Sequence, residues 1–189
     1  MSVVIFLLGL IVFLGGLYAV FYNGLIHARQ KVEEAWSGID VQLKRRYDLV
    51  PNLVNTVKGY AAHEQQTLEN ITNARATAMS VPTGQTAQKA TAENALSGAL
   101  RSLFALSENY PDLKANANFL ELQQQLTETE DQIASSRRIY NGNVTAYNVK
   151  VQSIPSNIVA SIHHFSEREF FEIPEEERQK TQETPNVSF

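Results

Sequence analysis

The chain contains no cysteine, and this absence excludes two classes of site. Without a thiol there can be no disulfide and no metal site built on thiolates. The sequence also lacks a P-loop, a dinucleotide-binding glycine fingerprint, a G-x-S-x-G nucleophile motif and a pair of carboxylates at catalytic spacing. We therefore expect no catalytic site, no enzymatic reaction and no cofactor.

The four histidines do not supply a metal-binding pattern. His163 and His164 are adjacent, so on a helix their side chains would point about 100 degrees apart and could not bind one ion together. His63 and Glu64 lack the second histidine, four residues after the first, that a zinc-binding helix requires. We expect no bound metal.

The sequence also has no basic surplus. Its formal net charge is -4, and the segment from Glu167 to Glu183, with seven acidic and three basic residues, accounts for that value. The rest of the chain is balanced, whereas a nucleic-acid interface needs basic residues clustered on one face. We therefore expect no nucleic-acid partner.

The longest uncharged run covers 20 residues, from residue 3 to residue 22. At a rise of about 1.5 Å per residue it spans roughly 30 Å, the thickness of the hydrocarbon core of a bilayer. A cleaved signal peptide would have a basic segment before the run and a small-x-small site near its end, and this sequence offers neither. We predict a single transmembrane anchor over 1–24 in the cell (inner) membrane, with the lipid bilayer as a partner. Aromatic residues that would lie at the membrane interface are Tyr18, Phe21 and Tyr22.

Basic residues follow the apolar run closely. Arg29 and Lys31 lie within ten residues of it, and residues 44–46 add three further basic side chains. Because basic residues are retained on the cytoplasmic side of a membrane, this distribution favours a cytoplasmic body. Arg29 and Lys31 are also near enough to the surface to attract anionic lipid.

Apolar residues recur with a helical period from residue 25 to residue 79. Pro51 removes one backbone donor, but the apolar register is the same on both sides of it, so we expect a kink there and no stop. The segment 80–86, SVPTGQT, is typical of a turn. A second helix is predicted from about residue 87 to residue 109.

A third helix is predicted to begin at Pro111 and to end at Pro155. Its apolar residues are spaced seven apart, which predicts packing against another long helix. These residues are Phe119, Leu126, Ile133, Tyr140, Tyr147 and Ile154. A short amphipathic helix is expected over 156–164. The periodicity as a whole predicts an all-α fold.

The segment from Ala35 to Glu64, AWSGIDVQLKRRYDLVPNLVNTVKGYAAHE, resembles the LemA family. Members of that family carry an AWS-x-IDVQLKRR-x-DL-x-PNLV run followed by VK-x-YA-x-HE. Further similar stretches lie at 70–75, 110–115, 137–141 and 170–172, so the resemblance covers essentially the whole chain. It implies an antiparallel bundle of long helices attached to a membrane by an N-terminal transmembrane helix. It implies no established reaction, and some members are implicated in organising membranes, as in magnetosome biogenesis.

These observations divide the chain into an anchor at 1–24, a LemA-like bundle at 25–173 and an acidic tail at 174–189. The tail ends in apolar residues, and this ending is also part of the LemA resemblance. We expect Val187 and Phe189 to dock on their own bundle or on a neighbouring subunit.

Charged residues lie beside the apolar stripes of the first and third helices. They are Arg45, Arg46, Asp48, Glu130, Arg137 and Arg138. One interpretation is a network of interhelical ion pairs that fixes the register of the helices. The other is a site for an anionic ligand or a lipid headgroup, formed by the arginines.

Two Tyr-Asn pairs recur at the seven-residue spacing, Tyr140-Asn141 and Tyr147-Asn148. We interpret them as buried tyrosines whose hydroxyls are satisfied by polar partners, with a ligand site as the alternative.

The predicted function is that of a membrane-anchored structural or scaffolding module that forms a homo-oligomer. We base the self-association on a first helix with more apolar stripe than two short partners can cover, an apolar tail and an anchor that concentrates subunits in two dimensions. The alternative is an adaptor that binds a membrane protein such as a protease, kinase or transporter.

Overall fold

The computed structural model describes residues 1–61, 63–82 and 84–172, and every regular element in these ranges is a helix. In chain order the helices are α1 (Ser2–Lys58), α2 (Gln65–Ser80), α3 (Thr86–Ser107), α4 (Pro111–Lys114), α5 (Ala117–Gln152) and α6 (Ser156–Ile162). The predicted all-α class is therefore confirmed. Val187 and Phe189, the predicted docking residues of the tail, lie outside the described residues.

The chain forms two compact units, and both long helices contribute to each. The first unit combines Met1–Gly38 with Arg138–Glu169, and the second combines Ile39–Arg137 with the segment that begins at Phe170.

In the first unit, α1 and α5 run antiparallel. The side-chain amide of Asn143 donates to the carbonyl of Lys31 at 3.1 Å. Further along α1, the Trp36 ring lies 5.5 Å from the ring of Tyr140. Because residue numbers rise on α1 as they fall on α5, the two helices have opposite directions.

The second unit is built from the end of α1, from α2, α3 and α4, and from the first part of α5. Arg46 on α1 contacts Glu130 on α5, and Tyr60, just after α1, contacts Asn116, just before α5, so the helices are antiparallel here too. Helices α2 and α3 are neighbours that follow each other in the chain. Large apolar side chains that are fully buried in this unit include Ile39, Leu43, Leu53, Val57, Ile71, Leu96, Leu103, Phe119 and Ile133.

The prediction of one continuous helix from residue 25 to residue 79 is wrong, because the helix is interrupted in the second half of that range. Pro51 lies inside α1, but the helix ends at Lys58 and α2 begins only at Gln65. Gly59 starts the break, and its amide donates to the Thr56 carbonyl, a tighter i to i−3 bond. Glycine costs about 1 kcal/mol relative to alanine inside a helix. The apolar period did not reveal the break because α1 and α2 each bury an apolar stripe.

The predicted third helix is also divided. Helix α4 is a single turn, and α5 begins after Asn116, whose side chain accepts a hydrogen bond from the Phe119 amide at 3.0 Å. Asparagine in this position is a helix N-cap, because it satisfies an amide that has no partner within the helix. The seven-residue stripe is buried from Phe119 to Tyr147, whereas Ile154 lies beyond the end of α5 and is exposed.

The apolar run of α1 lies outside the core. Within α1 an 18-residue stretch is long and apolar enough to cross a membrane, and none of that stretch is buried inside the chain. Beyond it the stripe of α1 is covered by the chain itself, since Leu25, Val32, Leu43 and Val50 are all buried. The premise that the body of α1 carries more apolar stripe than its partners can cover is therefore wrong.

Candidate functional site

A buried arginine joins three helices of the second unit. Arg46 on α1 is completely buried, and its Nη2 is paired with the carboxylate of Glu93 on α3. Its Nη1 donates to the Oγ of Ser97, which is also on α3, at 2.8 Å and to the Oε2 of Glu130 on α5 at 2.6 Å. Ser97 in turn donates to Glu130 Oε1 at 2.9 Å. One guanidinium group therefore fixes α1, α3 and α5 at a common level.

The same carboxylate of Glu93 has further partners. The hydroxyl of Tyr47 donates to its Oε1, and the ammonium of Lys89 lies 3.6 Å from that oxygen. Burial and the hydrogen bond to Glu93 raise the pKa of Tyr47 far above its usual value, so the hydroxyl stays protonated. Lys89 also donates to the carbonyl of Ala78 at 2.8 Å, which ties the network to the end of α2.

Arg137 lies close to this network but is less well paired. Its Nη1 donates to Asn94 Oδ1 at 3.2 Å, and its guanidinium lies 4.6 Å from the centre of the Phe171 ring. Its Nε and Nη2 are buried and have no hydrogen-bond partner among the described residues. Burial lowers the pKa of Arg137, and the positive charge of Arg46 lowers it further.

The structure therefore brings together some of the charged residues that the sequence singled out. Arg46 and Glu130 are in contact, and the electrostatics of Arg137 are coupled to both. The other three, Arg45, Asp48 and Arg138, are exposed and form no ion pair with any other described residue. The predicted set thus separates into a buried part and a solvent-facing part.

Sequence reasoning missed the contribution of α3. Glu93 and Ser97, which bind the guanidinium group of Arg46, lie on α3, whereas the predicted set of charged residues lies on the first and third predicted helices only. The available signal was the spacing, since Thr86, Glu93, Leu100 and Ser107 are seven apart and all are buried. A glutamate in such a stripe needs a buried positive partner.

Three residues of the two Tyr-Asn pairs, Tyr140, Tyr147 and Asn148, hold the segment 166–169, which is neither helix nor strand, in the first unit. The hydroxyl of Tyr147 donates to the Ser166 carbonyl at 3.0 Å, and the hydroxyl of Tyr140 donates to the Glu169 carbonyl at 3.0 Å. Asn148 donates to the Arg168 carbonyl and accepts from the Arg168 amide, both at 2.9 Å. These side chains satisfy backbone groups that form no sheet or helix.

The predicted membrane-interface residues lie together on α1. The rings of Tyr18 and Tyr22 both lie near His163, and Phe21 lies against a small core formed by α1 and α6. Arg29 is positioned 5.4 Å from the centre of the Phe165 ring, and its Nε is 3.8 Å from Glu33. Lys31 is exposed.

A groove of about 470 Å³ lies between the end of α1 and α2. Its lining includes buried Leu68, partly buried Val54 and two exposed residues of opposite charge, Lys58 and Glu69. Across the part of the chain that the structure describes, no three histidine, aspartate or glutamate side chains come together as a metal site. The groove is therefore a surface cleft lined by both apolar and charged side chains.

A family model described as the LemA family matches residues 35–189. The chain belongs to the LemA family. The matched region begins after the apolar run, so the family model covers the helical body and the tail.

This LemA-family chain is similar to several curated proteins, of which three illustrate the range. It is 29% identical over 160 residues to Protein LemA of Metamycoplasma hominis, and the alignment covers 82% of the chain and 72% of that protein. It is 24% identical over 175 residues to Magnetosome protein MamQ 2 of Paramagnetospirillum magneticum, covering 80% of the chain and 64% of the relative. Identity to Magnetosome protein MamQ of Magnetospirillum gryphiswaldense is 24% over 174 residues, covering 79% and 64%. The LemA-family chain therefore spans less than two thirds of the MamQ proteins it matches.

Proposed function

We propose that this chain is a membrane-anchored helical scaffold that self-associates and organises membrane or membrane-protein assemblies. The observation that carries the proposal is the continuity of α1. One helix of 57 residues holds an unburied apolar stretch of membrane-spanning length and then enters the folded body without a break. A body joined to the membrane in this way is held next to the bilayer surface.

The buried network around Arg46 supports a structural role for the body. The described charges at its centre, Arg46, Glu93 and Lys89, are paired with one another or with backbone carbonyls. Such a network fixes the register of packed helices, which is the best-attested use of buried ion pairs. The similarity to two magnetosome proteins supports a membrane-associated function.

Self-association would have to use surfaces other than the stripe of α1, because that stripe is buried within the chain. We propose that the tail residues Val187 and Phe189 contribute, by docking on a neighbouring subunit. The anchor increases the chance of contact because it confines the copies to two dimensions.

Mass photometry of the full chain in nanodiscs and in detergent tests this proposal. We expect a discrete particle whose mass is a multiple of the 21.1 kDa chain. The double variant Val187→Ser/Phe189→Ser should shift this particle to a smaller mass. The control variant Thr184→Ser/Asn186→Ser should not, because it removes no apolar side chain.

A monomer under all conditions would overturn the scaffold. A monomer that retains one stoichiometric membrane protein in a pull-down from membranes would instead support the adaptor. Membrane anchoring is tested separately, since the protein should stay in the membrane pellet after carbonate extraction. Protease added to intact cells should leave the body intact if it is cytoplasmic, and digestion of the body would reverse the proposed orientation.

A further inference from the structure

Helix α6 lies beside the end of the apolar run of α1. The Tyr18 hydroxyl and His163 Nε2 are hydrogen-bonded to each other, and the Tyr22 ring is 4.6 Å from the His163 ring. Leu25, Val159 and Ala160 form a small buried core between the two helices. Val159 and Ala160 pack against Leu25, whereas His163, which follows α6, contacts Tyr18. As residue numbers rise along α6, its contacts on α1 therefore move toward the N-terminus.

The two faces of α6 have different environments. Val159 and Ala160 are buried against α1, whereas isoleucines on the opposite side are exposed. Ile154, Ile158 and Ile162 are spaced four residues apart and are 82%, 59% and 59% exposed. Ile158 and Ile162 both belong to α6, where this spacing places their side chains along one stripe, and Ile154 lies in the turn that precedes the helix. The structure thus has an apolar stripe that α1 does not cover.

The position of this stripe indicates what covers it. Residues 153–165 contain no aspartate, glutamate, lysine or arginine. Tyr18 lies four residues inside the end of the apolar run, or about 6 Å at 1.5 Å per residue. Amphipathic helices at a membrane surface bury their apolar faces by about 5–10 Å at the boundary between headgroups and acyl chains. The isoleucines therefore lie next to the segment of α1 whose own exposed apolar side chains match a bilayer in length.

We propose that α6 is a second membrane contact, inserted into the interface beside α1 with Ile158 and Ile162 among the lipid acyl chains. The inference rests on the proposed anchoring of α1. The immersion deepens along α6, so Ile162 lies deeper than Ile158. The rings of Tyr18, Tyr22 and His163 then lie at the interface, where amphipathic rings collect in membrane proteins.

The absence of native cysteine allows single nitroxide labels to be placed in the full chain. The variants Ile158→Cys and Ile162→Cys are labelled, and the protein is reconstituted into vesicles of phosphatidylcholine and phosphatidylglycerol in equal parts. Power-saturation EPR then gives the collision rate of each label with oxygen, which partitions into lipid, and with a water-soluble nickel chelate. Ser161→Cys, on the exposed side of α6, gives a second reading that keeps all three isoleucines.

Two further labels serve as references. Ile139→Cys is the matched control, because Ile139 is also 59% exposed but lies next to Tyr140, which contacts Trp36, fourteen residues beyond Tyr22. That separation corresponds to about 21 Å along α1. Val12→Cys, in the apolar run at 74% exposure, reports on the anchor itself.

We expect the ratio of oxygen to nickel collisions to be highest at Val12 and several-fold higher at Ile162 and Ile158 than at Ile139. If Val12 is immersed while Ile158, Ser161 and Ile162 resemble Ile139, the interfacial helix is overturned and the anchor stands. A low ratio at Val12 overturns both. Labels on α6 that are shielded from oxygen and nickel alike would show that a protein surface covers the stripe, which also overturns the proposal.

Discussion

Arg46 on α1 and Glu93 on α3 form an ion pair in which neither side chain is exposed to solvent. Glu130 and Ser97 complete the hydrogen bonds to one side of the guanidinium, and the Tyr47 hydroxyl donates to the other oxygen of Glu93. Burying an ion costs several kcal/mol unless it is paired and hydrogen-bonded. The pair is therefore stable only when the three helices have this register, and a shift of one helix would leave charges unpaired.

Removing the arginine should be strongly destabilising. We expect Arg46→Met to lower the free energy of unfolding by about 3–5 kcal/mol, because Glu93 is then left as a buried charge without its main partner. Urea denaturation of the full chain in detergent, followed by circular dichroism, measures this loss. Arg45→Met is the matched control, because Arg45 is exposed and the change should stay within about 0.5 kcal/mol.

The double variant Arg46→Met/Glu93→Leu should recover part of the loss. Replacing both members of a buried ion pair by apolar residues is often neutral or stabilising, whereas removing one member is not. A double variant that is less stable than Arg46→Met would contradict the assignment of Glu93 as the charge that Arg46 neutralises.

Replacing Arg137 should not cause the large loss of stability that we expect on replacing Arg46. Two of its donors are buried and unsatisfied by the described residues, and its charge is close to that of Arg46. Methionine would keep contact with the Phe171 ring and remove an incompletely paired charge. We expect Arg137→Met to change the free energy of unfolding by less than about 1 kcal/mol, or to raise it. A loss comparable to that of Arg46→Met would show that Arg137 is paired as tightly as Arg46.

Alkaline pH should weaken the fold through Tyr47. Burial and the hydrogen bond to Glu93 raise its pKa in the folded state, so the folded protein holds this proton more tightly than the unfolded chain. The stabilisation is complete below the unfolded pKa of about 10 and is lost as the pH rises above it, by at most about 1.4 kcal/mol per pH unit. Urea denaturation across this range should give a falling stability for the wild type.

In Tyr47→Phe the fall above about pH 10 should be shallower, since one titrating group is removed. Some slope should remain, because burial also raises the pKa of Tyr147 and a hydrogen bond to Glu64 raises that of Tyr110. An unchanged slope would show that Tyr47 does not carry the effect.

The periodicity of the sequence was sufficient to predict the long helices but not their ends. The seven-residue spacing from Phe119 to Tyr147 identifies the buried face of α5, because each of those side chains packs inside the bundle. The end of α1 at Lys58 depends on a local turn at Gly59, and the start of α5 depends on the Asn116 cap. Such signals involve one or two residues and are easily masked by an apolar pattern that continues on both sides.

The charged site was predictable only in part, for a related reason. Arg46 and Glu130 stand out beside the stripes of α1 and α5, and the structure brings them together. Glu93, the principal partner of Arg46, lies 47 residues away on α3. The sequence does not show which helices pack against α3, so the role of Glu93 depends on tertiary packing. Arg45 and Arg138 have the same residue type as Arg46 but face solvent. The helical period does separate the adjacent arginines, because Arg46 lies three residues after Leu43 and four before Val50, on the buried stripe.

Asn148 should control the release of the segment 166–169, which includes Arg168. Its side chain is buried and forms two hydrogen bonds with the backbone of Arg168, one as a donor and one as an acceptor. Each is worth about 1 kcal/mol, so Asn148→Ala should favour opening by about 2 kcal/mol, which corresponds to roughly 30-fold. Because proteolysis follows the population of the open form, tryptic cleavage after Arg168 should accelerate by a similar factor.

Mass spectrometry of the fragment that ends at Arg168 measures this rate in the full chain. Thr145→Ala is the control, because Thr145 is exposed and its hydroxyl donates only to the Asn141 carbonyl of its own helix. That variant should be cleaved at the wild-type rate. Equal cleavage of Asn148→Ala and wild type would mean that the tyrosine hydroxyls of α5, through the carbonyls of Ser166 and Glu169, hold the segment without the asparagine.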